Sequence, residues 1–377
     1  MKLFSPLALR QVTVRNRIAI SPMQQFMARD GLPSDWHLAH LAQFALGGAG
    51  LVFTEAMAVD PRGRISHGDM GLWSLEQADA LGRITALLTT LGAVPGIQIS
   101  HAGRRGATKA PWDGKTPLTP ADAAHGEPPW ELWAPSAIPS RPAAQTPLPM
   151  DAAMIEEVQA AYVRAAGLAN RAGFEVLELH GGHGYMLHAF LSPVSNRRVD
   201  AYGGVLHNRM RFVLEVVERV RAAWPAHKPL FFRVSAIDGM AGGWDMDDTL
   251  ALVPELMRRG VDVIDVSSGG LSGQSSNASA HARVPGYHVP MSAAIRAATG
   301  ALTQVVGLVT EPAQAEQIIA SGSADLVAIA RAALHNPYWA AHAAEVLGDT
   351  DYSSWPAQYA WWLRARRDHL AERPPEA

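Results

Sequence analysis

Short apolar runs bounded by turn-forming residues recur eight times along the chain. They lie at 16–23 (NRIAISPM), 50–56 (GLVFTEA), 94–100 (VPGIQIS), 176–180 (VLELH), 230–235 (LFFRVS), 261–267 (VDVIDVS), 303–309 (TQVVGLV) and 325–331 (DLVAIAR). Most are near-continuous in apolar residues rather than alternating, the pattern of strands covered on both faces. Between them, apolar residues fall at helical spacing over 36–46, 75–91, 151–172, 208–223, 247–259, 291–298, 311–320 and 337–347. Asp151 ahead of Met154 and Ile155, and Pro312 just after Glu311, read as helix starts. Gly92, Gly173, Gly260 and Gly322 stand just past helix ends. Eight strands alternating with eight helices predict an α/β fold, a (β/α)8 TIM barrel in a single domain. A doubly wound open sheet is the alternative that the same alternation allows.

Three segments fall outside the repeating unit. Residues 1–15 precede the first strand and are expected to form a short lid over the barrel's N-terminal end. Residues 101–150 make a long, Pro-rich connection carrying Trp112, Trp130 and Trp133. It follows the third strand, at the face where barrel active sites are built, and its tryptophans argue for packing. The barrel is expected to span 1–352, leaving 353–377 as a C-terminal tail with Trp355, Tyr359, Trp361 and Trp362, then Arg364, Arg366 and Arg367. Those aromatics need burial against the same barrel or against a neighbouring subunit. The final ERPPEA, 372–377, is expected to be loose.

Composition narrows the function. With 377 residues, 48% of them hydrophobic, the chain can bury a large core, which excludes a disordered or fibrous protein. Its 32 basic and 35 acidic residues leave a net charge of −3, so no basic face for nucleic-acid phosphates is implied. With no cysteine, disulfides and thiolate metal sites are excluded. No apolar run reaches membrane-spanning length, and the N-terminus lacks the apolar core of a signal peptide. A soluble cytoplasmic protein is expected.

In a barrel, polar residues at the C-terminal ends of strands are where chemistry is sought first. Those ends carry Gln24 and Gln25, Glu55, Gln98 and His101, His180 and His183, Arg233, Ser267 and Ser268, Gly307 and Arg331. The sharpest feature is His180-Gly-Gly-His183-Gly-Tyr185. The glycines permit unusual dihedrals, so both imidazoles can converge on one small target. Three readings stay open for the pair: a metal site, caps for the following helix, or two donors holding a substrate oxygen with Tyr185 as proton donor. A phenol is a credible acid toward a strongly basic carbanion. The metal reading lacks an obvious third ligand. Gly307, with Ala330 and Arg331, stands after the seventh and eighth strands, where barrels often bind phosphate, and Arg233 adds a further cation at the rim.

Together these pieces resemble the old yellow enzyme family of flavin-dependent ene-reductases, over nearly the whole chain. The resemblance rests on NRIAISPM, QISHAGR at 98–104, HGGHGYMLHAFLSP at 180–193, SNRRVDAYGG at 195–204 with Asn208 and Arg209, and RVS at 233–235. The APSAI segment at 134–138 and the Trp-rich tail look like the bacterial branch containing xenobiotic reductases. The resemblance implies non-covalent FMN at the barrel rim and NADPH or NADH as hydride donor. Ser21, Pro22, Met23 and Gln24 would line one side of the flavin with Ala56 nearby. Gln98 would bond the pyrimidine edge and Arg233 would stabilise negative charge at N1 and O2. Gly307, Ala330 and Arg331 would hold the phosphate. His180 and His183 would bind the carbonyl of an enone or the oxygens of a nitro compound, with Tyr185 protonating the α-carbon. Phe26 would stand at the substrate, and Trp362 would reach a neighbour's site in a homodimer or higher homo-oligomer. A ping-pong exchange of hydride follows from this arrangement.

The chain departs from the branch at three of these positions. Gln24 stands where the branch usually has a cysteine that tunes the flavin, Phe26 where it often has Tyr, and Ala330 where it has Gly. Two other classes remain as alternatives, a metal-dependent hydrolase or lyase using the histidine pair, and a barrel that only binds a ligand.

Overall fold

Each of the eight apolar runs forms a strand: β1 (Ile18–Ile20), β2 (Leu51–Ala58), β3 (Val94–Ser100), β4 (Val176–Gly181), β5 (Leu230–Ser235), β6 (Val263–Ser267), β7 (Leu302–Val305) and β8 (Leu326–Ile329). In this computed structural model, which describes residues 1–272 and 284–371, they close in chain order into one parallel barrel, with β8 paired back to β1. The expected (β/α)8 architecture is the observed one, and the open sheet is excluded by the closure.

The eight expected helices are present as α1 (Asp35–Leu46), α2 (Leu75–Thr90), α3 (Ala152–Arg171), α5 (Leu206–Ala223), α6 (Met246–Arg258), α7 (Val289–Thr299), α8 (Pro312–Ala320) and α10 (Trp339–Val346). Asp151 caps α3 as expected, accepting the Met154 N–H at 2.8 Å. Three further helices are α4 (Met186–Leu191), α9 (Arg331–His335) and α11 (Ala357–Ala371). The first two are too short to print a helical period, and α11 is charged around much of its surface. Several strands stop earlier than their apolar runs. β1 ends before Pro22, which has no N–H for a ladder. β7 ends before Gly307 (φ 129°) and Leu308 (φ 52°), both outside the extended region.

Along the strands, side chains alternate between two cores. Val52, Leu177, Phe232, Ile264 and Val327 join the large core beneath the helices. Leu51, Val176, Phe231, Val263 and Leu326 form a second, enclosed cluster in the barrel's lower interior. The expected lid closes that end. Strands Leu7–Leu9 and Val12–Val14 pair antiparallel, and Leu9 and Val14 plug into the lower cluster.

Residues 101–150 are ordered by packing, as their tryptophans suggested. Trp133 is buried under the Arg62 guanidinium, 3.8 Å from the ring centroid, and Trp130 donates Nε1–H to the Arg62 carbonyl. Trp112 remains exposed. In the tail, Trp355 stacks on Tyr338 and donates to Glu345, so part of it is held by its own barrel. The expectation for 372–377 lies outside the described residues. Among the described residues, no helix is long and apolar enough to cross a membrane.

Candidate active site

The upper ends of the strands surround a cavity of about 300 Å³, within the range of small-molecule sites. Every strand contributes to it or to the loop that follows: Ser21, Pro22 and Gln24 after β1, Ala56 on β2, Gln98 on β3, His180, His183 and Tyr185 at the end of β4, Arg233 on β5, Ser267 on β6, Gly307 after β7, Ala330 and Arg331 after β8.

The histidine pair is tied together by its own hydrogen bonds. His180 Nδ1 accepts the Gly182 N–H, which leaves its proton on Nε2. That N–H faces His183 Nδ1 at 3.2 Å, and His183 Nε2 in turn lies 2.7 Å from Ser267 Oγ. The chain of donors therefore runs His180, His183, Ser267. Burial keeps both imidazoles well below the usual histidine value, reinforced by the Arg233 charge at His180 and by His180 itself at His183. Both rings are neutral donors. His183 sits at φ 58°, a costly region for a residue with a Cβ, and its N–H is anchored on Ser235 Oγ. Gly270 lets the chain pass behind it, since a Cβ there would lie 2.6 Å from His183 Cα. Tyr185 starts α4, with the Arg105 guanidinium 5.2 Å from its ring centroid. Burial raises the phenol above its ordinary value and keeps it protonated.

The remaining polar residues are held by partners below them. Arg233 Nη1 donates to Ser21 Oγ at 3.0 Å and lies 3.3 Å from Asp265 Oδ2. Gln98 Nε2 donates to Glu178 Oε1 at 2.7 Å, which leaves its own carbonyl oxygen free to accept. Gln24 Nε2 donates to Glu55 Oε1 at 3.3 Å. Glu55 also accepts the N–H groups of Gln25 and Met70, yet burial raises its carboxyl to about 8. Burial likewise raises the neighbouring Asp69 to about 7.

A model of the NADH:flavin oxidoreductase / NADH oxidase family matches residues 2–349. The chain belongs to that family, the old yellow enzymes. It is 42% identical over 362 residues to the NADPH dehydrogenase of Geobacillus sp. (strain WCH70), spanning 95% of this chain and 98% of that one. Among solved structures, morphinone reductase in complex with tetrahydroNAD (N189A mutant) superposes with a TM-score of 0.72 at 23% identity, covering 91% of this chain and 90% of that one. The old yellow enzyme homologue from Zymomonas mobilis gives 0.73 at 22%, covering 89% and 90%. These two share the fold. The protein is thus an NAD(P)H-dependent flavin oxidoreductase with FMN as its cofactor.

The cavity of this old yellow enzyme fits FMN on its own terms. A flavin offers a hydrogen-bonding ring edge and a phosphate. Gln98 presents a free acceptor, and the buried Arg233 Nε has no hydrogen-bond partner among the described residues. Arg331 supplies a cation in the same cavity. Gly307 keeps that part open, because a Cβ there would lie 2.9 Å from His288 Nδ1 and would be strained at φ 129°.

Most residues singled out from the sequence line this cavity; Met23, Gln25, Phe26, Glu55, His101, Ser268 and Trp362 do not. Met23 turns its side chain into the core. Phe26, at φ 56°, packs edge-on against Trp112, 5.7 Å between centroids. Trp362 is 67% exposed on α11. His101, grouped with the rim, is buried with Nδ1 accepting the Gly103 N–H, and burial lowers it to about 4. Sequence reasoning passed over Ile65, Tyr287, His288 and Val306, all cavity-lining. His288 bridges Ser268 Oγ at 2.8 Å and the Val306 carbonyl at 2.7 Å. The signal available was Gly286-Tyr287-His288 just ahead of Pro290, a glycine and two rings at a helix start. Among the described residues, no group of three or more His, Cys, Asp or Glu side chains is placed to hold a metal.

Proposed function

We propose that the protein is an ene-reductase, reducing activated C=C bonds of enones and related electron-poor compounds, nitro compounds among them. The observation that carries this reading is the neutral His180–His183 pair beside the protonated Tyr185 in one cavity. FMN, when bound, supplies a two-electron hydride store that NADPH or NADH fills and the alkene empties. The two substrates are taken to use the same site in turn, which is a ping-pong order.

The protein's part is to orient and polarise. His180 and His183 each carry one N–H, directed at His183 Nδ1 and Ser267 Oγ; a carbonyl or nitro oxygen that takes the place of those acceptors gains stabilisation where negative charge develops. Their low basicity keeps them donors rather than imidazolium ions at neutral pH. Ser235 Oγ fixes the His183 backbone, so only the ring N–H contacts have to be exchanged. Tyr185 Oη gives a proton to the α-carbon; its raised pKa keeps the proton in place until a strongly basic carbon needs it. Gln98 and Arg233 would hold the flavin ring, with Ser21, Pro22, Gln24 and Ala56 along its side. Gly307, Ala330 and Arg331 would hold its phosphate.

Gln24 makes this protein's flavin distinct within its branch. An amide donating to Glu55 cannot act as a thiol, so Gln24→Cys is expected to shift the midpoint potential and the kinetics of both half-reactions. Unchanged values would remove Gln24 from flavin tuning. The tail, 353–377, is assigned to a homo-oligomer, with Trp362 reaching a neighbour's cavity. Its support is that Trp361 and Trp362 are 59% and 67% exposed while Trp355 packs on its own barrel. Residence in the cytoplasm accords with this chemistry.

The test is the visible spectrum of the purified protein, kept anaerobic while NADPH and then cyclohexenone are added. Bleaching of the flavin band by NADPH and its return with cyclohexenone is the expected result. Bleaching without return, with nitro compounds also failing, would overturn the ene-reductase reading and leave the flavin oxidoreductase intact.

A further inference from the structure

β4, β5 and β6 each lay an ionisable side chain in the barrel interior, directly between the apolar lower cluster and the cavity. The inward positions read Val176, Glu178, His180 on β4, then Phe231, Arg233, Ser235 on β5, then Val263, Asp265, Ser267 on β6. Barrel interiors are ordinarily filled by branched apolar side chains. Glu178 and Asp265 are both 0% exposed, and the stoichiometry around them is uneven. The charged or titratable groups facing the two carboxyls are each other and Arg233. β3 and β7 contribute only amides, Gln98 and Gln304. Glu178 Oε2 and both Asp265 oxygens have no hydrogen-bond partner among the described residues, Asp265 Oδ2 making only the ion pair with Arg233.

Two carboxylates and one guanidinium would leave a net negative charge enclosed in protein, which is costly, whereas one retained proton brings the group to neutrality. We propose that Glu178 and Asp265 share a single proton and thereby set how much of the Arg233 charge reaches the flavin. The sharing places the pair beneath the two residues assigned to the flavin ring. Glu178 orients the Gln98 amide, because a carboxyl oxygen accepting from Nε2 turns the amide carbonyl away from it. Asp265 is the counter-ion of Arg233. Burial, and then the Asp265 charge, raise Glu178 well above the ordinary carboxylate value, and burial raises Asp265 against the opposing pull of Arg233. Both are positioning residues, and their effect on the flavin rests on the assignment of Arg233 and Gln98 to its ring.

A shared proton has a signature that a structural role lacks. Glu178→Gln keeps one carboxylate facing Arg233. Asp265→Asn lets Glu178 ionise in its place. Each single variant therefore preserves the net charge, and only the double variant leaves Arg233 uncompensated. Infrared difference spectra of the FMN-loaded and FMN-free proteins are expected to show a protonated-carboxyl component that disappears in either single variant, while the component from Glu55 and Asp69 stays. The midpoint potential is expected to hold within about twofold in the redox equilibrium for each single variant. In the double variant it is expected to shift tenfold or more toward reduced flavin, about 30 mV or more for a two-electron couple. Loss of no protonated-carboxyl component in either single variant, or two single shifts that simply add in the double, overturns the proposal. The spectra of the FMN-free protein decide the proton independently of whether Arg233 and Gln98 contact the flavin.

Discussion

Two residues apart on β6, Val263 and Asp265 face the same barrel interior in different company. Val263 meets Leu51, Val176, Phe231 and Leu326, with Leu9 and Val14 of the N-terminal hairpin closing the end. Asp265 meets Arg233 and Glu178, and two residues further on Ser267 meets His183. Both layers are removed from water. The lower one gains from apolar burial and tolerates no polar atom. The upper one is held by partners that are few and specific, so each loss leaves a buried group unpaired. One barrel thus keeps a rigid apolar floor under a cavity whose polar groups are preorganised.

The sharpest break of that contrast is Val263→Asp, which puts into the lower layer the side chain the upper layer carries. With no cation beside it, the carboxyl is expected to cost several kcal/mol and to abolish soluble folded protein, read by expression yield and thermal unfolding. Phe231→Ala, in the same layer, is expected to lose about 3–5 kcal/mol in denaturant unfolding while the purified protein keeps its flavin spectrum. In the cavity the pattern reverses. Tyr185→Phe is expected to slow enone reduction by about 10²–10⁴ while the NADPH half-reaction and thermal stability stay near wild type, in stopped-flow and melting experiments.

A smaller effect separates the layers by pH. His37, His40, His101 and His288 are lowered to about 4, chiefly by burial. Their contribution to stability is present above the unfolded value near 6.5 and is lost as pH falls through 4. Glu55 is raised from 4.5 to about 8 by burial, so its contribution is present below 4.5 and is lost as pH rises through 8. The melting temperature is expected to fall on both sides, and Glu55→Gln to flatten the alkaline side alone. Smallest of all, Trp362→Ala lies in neither layer. It is expected to change the monomer's stability by no more than about 0.5 kcal/mol, with any larger change confined to oligomer stability or substrate choice.

The barrel was legible because each strand and helix carries its own period, and the period does not depend on what lies across the fold. The cavity residues at strand ends were legible for a related reason: parallel strands in a closed barrel bring all their C-terminal ends to one rim. Tyr287 and His288 were missed because they stand in the loop after β6 and reach the cavity only through a turn that no periodicity announces. Phe26 was placed at the substrate by the resemblance, whose branch often has Tyr at that position. The left-handed backbone at Phe26 instead sends its ring to Trp112, more than eighty residues away.

The sequence by itself determined the eight-fold alternation, the absence of thiol chemistry and the trio His180, His183 and Tyr185, since all of these are written in local order and residue type. Only the tertiary structure decided that Glu178, Arg233 and Asp265 form one enclosed group. Each stands alone in an apolar run on its own strand, where it reads as an interruption. Charge compensation acts across space rather than along the chain, and the barrel had to close before two carboxyls and a guanidinium could become one site.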